Sequence, residues 1–168
     1  MEDHVLVVAV ASYRSTTAAS DDFDALFAPV RAPEWTRAAG VLEKGADGAI
    51  TMVRHHGTGS CPAPATELLG AVLIVVAAPV GILLLAPVAV AQDAWVRVAG
   101  IVDHLWHGLP RDALHRMANL VDARQASVVL VAADPAAEAI GGLLPRASAR
   151  IVTDHSYTDV AIEGYASW

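Results

Sequence analysis

An uncharged run in the middle of the chain restricts the fold more than any other feature. From Leu68 to Ala91 no residue carries a formal charge, and Glu67 and Asp93 bound the run. As one helix, these 24 residues would be about 36 Å long, enough to cross a hydrocarbon core of about 30 Å. A patch of this size exposed to water would aggregate. The run must therefore be covered by lipid, by another subunit or by the rest of the chain.

The segments on either side of this run predict strands. Val5–Ala11 and Ser127–Ala133 are short, continuous and apolar, which is typical of strands buried on both faces. Trp35–Glu43 and Ile50–His56 predict a β-hairpin, because Asp47-Gly48 between them favours a turn with positive φ. These four segments are expected to share one sheet, with 5–11 and 127–132 as central neighbours.

Helical spacing of apolar residues predicts helices at 17–30, 110–122 and 136–144, and a last strand follows at 150–153. In the first helix, Phe23, Leu26 and Val30 are expected to face the core. The candidate caps are Ser15, Thr16 and Thr17, and the acids Asp21, Asp22 and Asp24 lie on the other faces or in the first turns, where they suit the helix dipole.

Without the apolar run, the order of elements is the βαββαβ order of a ferredoxin-like fold with one more helix and strand. The sequence therefore predicts an α+β fold, with helices 17–30 and 110–122 on the same face of the sheet. The predicted organisation is a first half at 1–66, an apolar helical insertion at 67–107, a second half at 108–155 and a C-terminal tail at 156–168.

The insertion is predicted to be a helical hairpin, because a single span would separate the two halves of the sheet domain. Its turn falls either at Pro79-Val80-Gly81 or near Pro87, and an amphipathic helix follows from Gln92 to His107. Lipid, an oligomer interface and the chain's own core all remain open as its cover. We expect deletion of residues 68–91 to leave a folded domain. The residues predicted to mediate membrane contact or assembly are Leu73, Val76, Val80, Leu84, Val88, Trp95 and Trp106.

Composition excludes several classes of protein. The net charge is −7 and the basic residues are scattered, so nucleic acid is not an expected partner. The single cysteine, Cys61, excludes an internal disulfide framework. The start Met1-Glu2-Asp3-His4 lacks the cationic region of a signal peptide. The expected location is the cytoplasm or the cytoplasmic side of a membrane.

The sequence gives only weak evidence for catalytic, metal-binding or phosphate-binding groups. His55 and His56 are adjacent on a strand and point to opposite faces, which disfavours a shared metal. Asp103, His104 and His107 lie on one helical turn, but no further ligand is evident. Cys61 has no identified base nearby, and Gly57-Thr-Gly-Ser60 lacks the lysine of a phosphate loop. The sequence therefore predicts no catalytic residue, no cofactor and no metal.

A set of short motifs occurs in order along the chain, at residues 8–13, Ala19, 22–26, 41–48, 53–56, 104–111 and 127–132. Taken together, these stretches resemble a bacterial family of small membrane proteins of unknown function, whose ferredoxin-like domain is split by a glycine-zipper hairpin. The insertion here has fewer glycines than that family and is rich in valine and leucine. The resemblance implies a membrane-associated α/β body and no known activity.

Two functions follow as hypotheses. In the first, the chain is a non-enzymatic interaction protein that forms homo-oligomers and uses the apolar hairpin as a membrane or assembly anchor. In the second, it is a soluble small-molecule binder or enzyme whose apolar helices line a ligand pocket. The scattered charges favour the first hypothesis, because no single candidate site collects them.

Overall fold

The computed structural model describes residues 3–28, 37–58, 65–77, 83–84, 94–123, 125–133 and 142–158, and it is an α+β structure. Five antiparallel strands form the sheet, and a sixth, very short strand adds to it in parallel. The strands are β1 (Asp3–Tyr13), β2 (Arg37–Lys44), β3 (Ile50–Thr58), β4 (Leu83–Leu84), β5 (Ala126–Ala133) and β6 (Ala149–Thr158). The helices are α1 (Thr16–Leu26), α2 (Ala65–Ala77), α3 (Ala94–Gly108) and α4 (Arg111–Ala123).

The strand order in the sheet is β4-β3-β2-β5-β1-β6. The prediction of one shared sheet is confirmed, and β1 and β5 are neighbours as expected. The order nevertheless differs from that of a ferredoxin-like fold, in which the third strand lies between the first two. Here β5 takes that position, and β3 lies outside β2. Every residue of β5 is buried, whereas Val53–His56 of β3 are exposed. The apolar strand therefore occupies the middle, and the polar strand lies towards the edge.

Helices α1 and α4 lie on opposite faces of the sheet, so the prediction that they share a face is wrong. In β1, Val7 and Ala9 belong to the cluster that contains α1. Leu6 and Val8 belong to the cluster that contains α2, α3 and α4. The physical reason is the apolar composition of β1 and β5 at successive positions, which requires helices on both sides.

The local signals at α1 and at the hairpin turn are confirmed. The Ser15 hydroxyl oxygen accepts a hydrogen bond from the Ala18 amide at 3.2 Å and caps α1. Gly48 has a φ of 81°, and the Asp47 carboxylate accepts from the Ala49 amide at 3.0 Å. These contacts fix the start of α1 and the connection from β2 to β3.

Helix α2 is part of the chain's own core. It packs against the sheet, α3 and α4. From Glu67 to Ala77 every side chain is buried except that of Ile74, which is partly exposed. The predicted insertion therefore includes a helix that shares one core with the segments on either side.

Some predicted boundaries fall elsewhere or cannot be placed. Strand β6 continues to Thr158 and crosses the boundary predicted between 155 and 156. Helix α1 ends at Leu26, earlier than the predicted residue 30. The predicted turns at 79–81 and Pro87 lie outside the described residues, as does the helix predicted at 136–144 for all but its last three residues.

Candidate functional site

The structure places only some of the seven predicted anchoring residues. Leu73 and Val76 are both 0% exposed, in the interior between the sheet and the other helices. Trp106 is 41% exposed near the end of α3. Leu84 lies in β4 and Trp95 in the first turn of α3. Val80 and Val88 lie outside the described residues.

None of the described helices is both long and apolar enough to cross a bilayer. Helix α2 has 13 residues, fewer than the roughly 18 or more that a transmembrane helix needs. Its apolar side chains are covered by the sheet and by α3 and α4. Packing within the chain thus accounts for the burial of this part of the uncharged run.

The polar candidates do not converge on one point. The His107 Nδ1 lies 2.8 Å from the Asp103 carbonyl oxygen and 3.4 Å from its carboxylate, so this pair makes a local contact along α3. Gly57 and Thr58 belong to β3 instead of a phosphate loop. Cys61 lies outside the described residues. Within the described ranges, no group of three or more His, Cys, Asp or Glu could hold a metal ion.

A cluster of aromatic and charged side chains connects α1 to β3, and sequence reasoning missed it. Arg54 donates to both carboxylate oxygens of Asp24, at 2.6 and 3.2 Å. The Arg54 guanidinium carbon also lies 4.7 Å from the centre of the Phe23 ring. The carboxylate and the ring together hold the guanidinium in one place. The same ion pair lowers the pKa of Asp24 and raises the pKa of Arg54.

The second half of this cluster surrounds Phe27. The His56 ring meets the Phe27 ring edge to face, with centres 4.6 Å apart. The Arg37 guanidinium carbon lies 5.5 Å from the same ring centre on Phe27. Phe23 and Phe27 are themselves 5.4 Å apart. These six side chains form a continuous cluster from the last turn of α1 to β2 and β3.

An irregularity in the pairing of β2 with β3 produces this arrangement. Val41 pairs with Arg54 and Leu42 with Met52, so Val53 is an extra residue in β3. In a regular strand, residues 52 and 54 would point to the same face. Here Met52 packs in the core on the α2 side, while Arg54 reaches α1. The bulge therefore turns Arg54 towards Asp24 and Phe23.

A cleft of about 600 Å³ opens beside this cluster, lined by Phe23, Asp24, Phe27 and residues 53–56 of β3. A second cleft, of about 660 Å³, lies at the end of the sheet between Arg14, Lys44 and Asp122. There the Lys44 ammonium donates to the Asp122 carboxylate. It also donates to the backbone carbonyl oxygen of Asp122, at 3.0 Å. The ion pair between Lys44 and Asp122 partly neutralises the charge in this second cleft. The cleft beside β3 instead presents the exposed side chains of His55 and His56.

A buried polar network lies on the same face of the sheet as α1. Asp22 is 0% exposed and accepts hydrogen bonds from the Tyr13 hydroxyl at 3.0 Å and the Arg146 amide at 3.0 Å. The Arg146 guanidinium donates to its other carboxylate oxygen at 2.9 Å. Burial, followed by the negative charge of Asp22, raises the pKa of Tyr13 well above its usual value. This network connects β1, α1 and the segment before β6, which is a structural role.

Comparisons of the chain with models of protein families, with curated proteins and with solved structures gave no match. The features that remain are the aromatic and charged surface between α1 and β3, the polar clefts, and the apolar sequence between α2 and α3.

Proposed function

We propose that this chain is a non-enzymatic interaction and assembly protein. In this proposal, the α/β body forms homo-oligomers, and the apolar connection between α2 and α3, residues 78–93, attaches it to further copies of itself or to a membrane surface. The connection carries only one formal charge, Asp93, and includes three of the predicted anchoring residues, Val80, Leu84 and Val88.

The observation that carries this proposal is the apolar composition of residues 78–93, and the burial of α2 limits the anchor to them. Because α2 is covered by the sheet, α3 and α4, its apolar residues are accounted for within the chain. The proposed anchor is therefore shorter than the predicted hairpin and is limited to the connection. Its apolar side chains are the ones that a partner or a lipid surface would cover.

The alternative of a small-molecule binder with a pocket lined by the apolar helices has less support. The clefts at the end of the sheet and beside β3 are lined by residues of the strands, the turns, α1 and α4. None of these three clefts includes a residue of α2 or α3. The observations therefore favour the interaction protein over the alternative.

A double substitution in the connection tests the proposal. We expect Val80→Asp with Val88→Asp to convert an oligomer into single chains, or to abolish flotation with phosphatidylcholine–phosphatidylglycerol vesicles, because charges are costly in an apolar interface. Light scattering after size exclusion separates the oligomer from the lipid result, and circular dichroism checks the fold. The matched control is Ala99→Asp on the exposed side of α3, which should change neither measurement. A wild-type chain that is monomeric and does not float would overturn the proposal.

A further inference from the structure

The sheet ends at β6, and the outer side of this strand is an edge. Strand β6 pairs with β1 along one side and is the last strand in the order β4-β3-β2-β5-β1-β6. In the part of the chain that the structure describes, no strand lies on its other side. We call this outer side, over residues 149–155, the β6 edge. The peptide groups of an edge strand pair readily with another extended chain.

Two opposite charges lie on the β6 edge. Arg150 and Asp154 are both exposed, and strand alternation places them on the same face as Val152, which packs against the core on the α1 side. The Arg150 guanidinium donates to the Leu144 carbonyl oxygen at 3.3 Å. Within the described residues, neither Arg150 nor Asp154 makes an ion pair. They are four positions apart along an extended strand, about 13 Å, so they do not pair with each other.

We propose that the β6 edge pairs with the β6 edge of a second copy of this chain, antiparallel and about a two-fold axis at Val152. In this register, Arg150 of each copy lies opposite Asp154 of the other. Directly opposite residues of antiparallel strands have Cβ atoms about 4.5–5.5 Å apart, which is close enough for an ion pair. The pairing therefore joins two sheets into one and gives both charges a partner.

Charge complementarity selects a second copy in this register as the occupant. Charges on an edge strand usually keep other strands away. Here the two charges have opposite signs and lie equally far from Val152, so they match only when the strands pair about that residue. A parallel pairing in register would place like charges side by side. The net charge of −7 on each copy opposes association, but physiological salt screens it beyond about 8 Å, whereas the two ion pairs are in contact.

This proposal rests on the homo-oligomer of the proposed function and gives it a defined contact. The β6 edge and β4, which lies in the apolar connection, are at opposite ends of the sheet. One pair of strands buries less than the roughly 800 Å² per partner of a standard interface. We therefore expect the β6 contact alone to hold two chains together at high protein concentration and to dissociate on dilution.

Charge reversal tests the proposal in the full chain carrying Val80→Asp and Val88→Asp, which removes the contribution of the connection. Sedimentation velocity over a wide range of concentration gives the Kd of the pair. We expect Arg150→Glu and Asp154→Arg each to weaken pairing at least tenfold, because each places like charges opposite one another. The two substitutions in one chain should restore pairing nearly to the parent value. An equimolar mixture of the two single variants should also pair, since every opposite position then carries opposite charges.

A matched control and a second measurement separate this contact from changes in the fold. Arg116→Glu is the control, because Arg116 is an exposed residue of α4, and it should leave pairing unchanged. Circular dichroism checks each variant. Hydrogen exchange at the β6 edge should be slow at high protein concentration and faster on dilution. If Arg150→Glu fails to fold, Asp154→Arg and the exchange experiment still decide the question.

Several results would overturn the proposal. One is the absence of pairing at the highest concentration, and another is pairing that neither single substitution weakens. Slow exchange at the β6 edge at all concentrations would mean that the chain covers its own edge. None of these results contradicts the proposed function, which is decided with the intact connection of the wild-type chain. Conversely, if Val80→Asp with Val88→Asp changes nothing while charge reversal abolishes pairing, the connection is wrong and the β6 contact stands.

Discussion

The two faces of the sheet are covered in different ways. The face towards α1 is lined by many alanines, including Ala9, Ala39 and Ala132, and it ends in the buried network around Asp22. The other face is lined mainly by valine, leucine and isoleucine and is covered by α2, α3 and α4. The same strands serve both faces because their side chains alternate. Residues 68–77 of the uncharged run, which lie in α2, therefore cover this face of the sheet together with α3 and α4.

The largest expected effect is on the apolar face. Leu73→Ala in α2 should lower the free energy of unfolding by about 3–4 kcal/mol, because it leaves a cavity in a closely packed core. Ile74→Ala is the matched control, since Ile74 is the neighbouring residue but is partly exposed, and its loss should be clearly smaller. Urea unfolding followed by circular dichroism measures both. Equal and small losses would mean that α2 is covered by something other than the chain itself.

The burial of α2 also reverses the expectation for the deletion of residues 68–91. The sequence predicted that a Gly/Ser linker in their place would leave a folded domain. With Leu68, Leu73 and Val76 all at 0% exposure, we now expect that deletion to unfold the chain. Deletion of residues 79–91 alone, which spares α2, should keep the circular dichroism spectrum. A folded chain after the longer deletion would contradict this account of the core.

The next effect concerns the polar network on the α1 face. Asp22→Ala should lower the free energy of unfolding by about 2–3 kcal/mol, because it leaves the buried Tyr13 hydroxyl without its acceptor. Asp21→Ala is the matched control. Asp21 is exposed and lies 3.7 Å from Arg146, and exposed ion pairs contribute little to stability. Chemical denaturation distinguishes the two variants, and similar losses for both would show that the network is not what stabilises this face.

The same network predicts a loss of stability at high pH. Burial and the neighbouring Asp22 raise the pKa of Tyr13 above the usual value of 10.0. Because the pKa of the folded state is above that of the unfolded state, the stabilisation is complete below pH 10 and is lost as the pH rises further. We expect the free energy of unfolding to fall between pH 10 and 11, and to fall less in Tyr13→Phe. A parallel fall in both proteins would assign the effect to other groups.

Much of the local structure could be predicted from the sequence, but long-range contacts could not. Ser15 and Asp47-Gly48 act through neighbours in the chain, so their roles followed from local rules. Asp22 was interpreted only as an acid near the start of a helix, because its partner Arg146 is 124 positions away. The position of β5 between β1 and β2 likewise depends on the competition of whole strands for the middle of the sheet.

The candidate surface between α1 and β3 was harder still to predict. Phe23 was correctly interpreted as a core residue, and it is 4% exposed. Phe27 is only partly buried and contacts His56 and Arg37. The bulge at Val53 directs Arg54 to α1, and no residue pattern in β3 indicates a bulge at that position. A shift of one residue in pairing thus decided which side chains meet.

The smallest expected effect is the coupling of Asp24 to Arg54 at the exposed margin of the α1 face. Arg54 lowers the pKa of Asp24 below the usual 3.8. Because the pKa of the folded state is below that of the unfolded state, the stabilisation is present above that value and is lost as the pH falls through the lowered pKa. A double-mutant cycle of Asp24→Asn and Arg54→Met should therefore give a weak coupling at pH 7 that decreases as the pH falls through the lowered pKa and shrinks in 1 M salt. A coupling that persists unchanged in acid would mean that it does not come from the ionised carboxylate, and no coupling at pH 7 would mean that Asp24 does not hold Arg54 against α1.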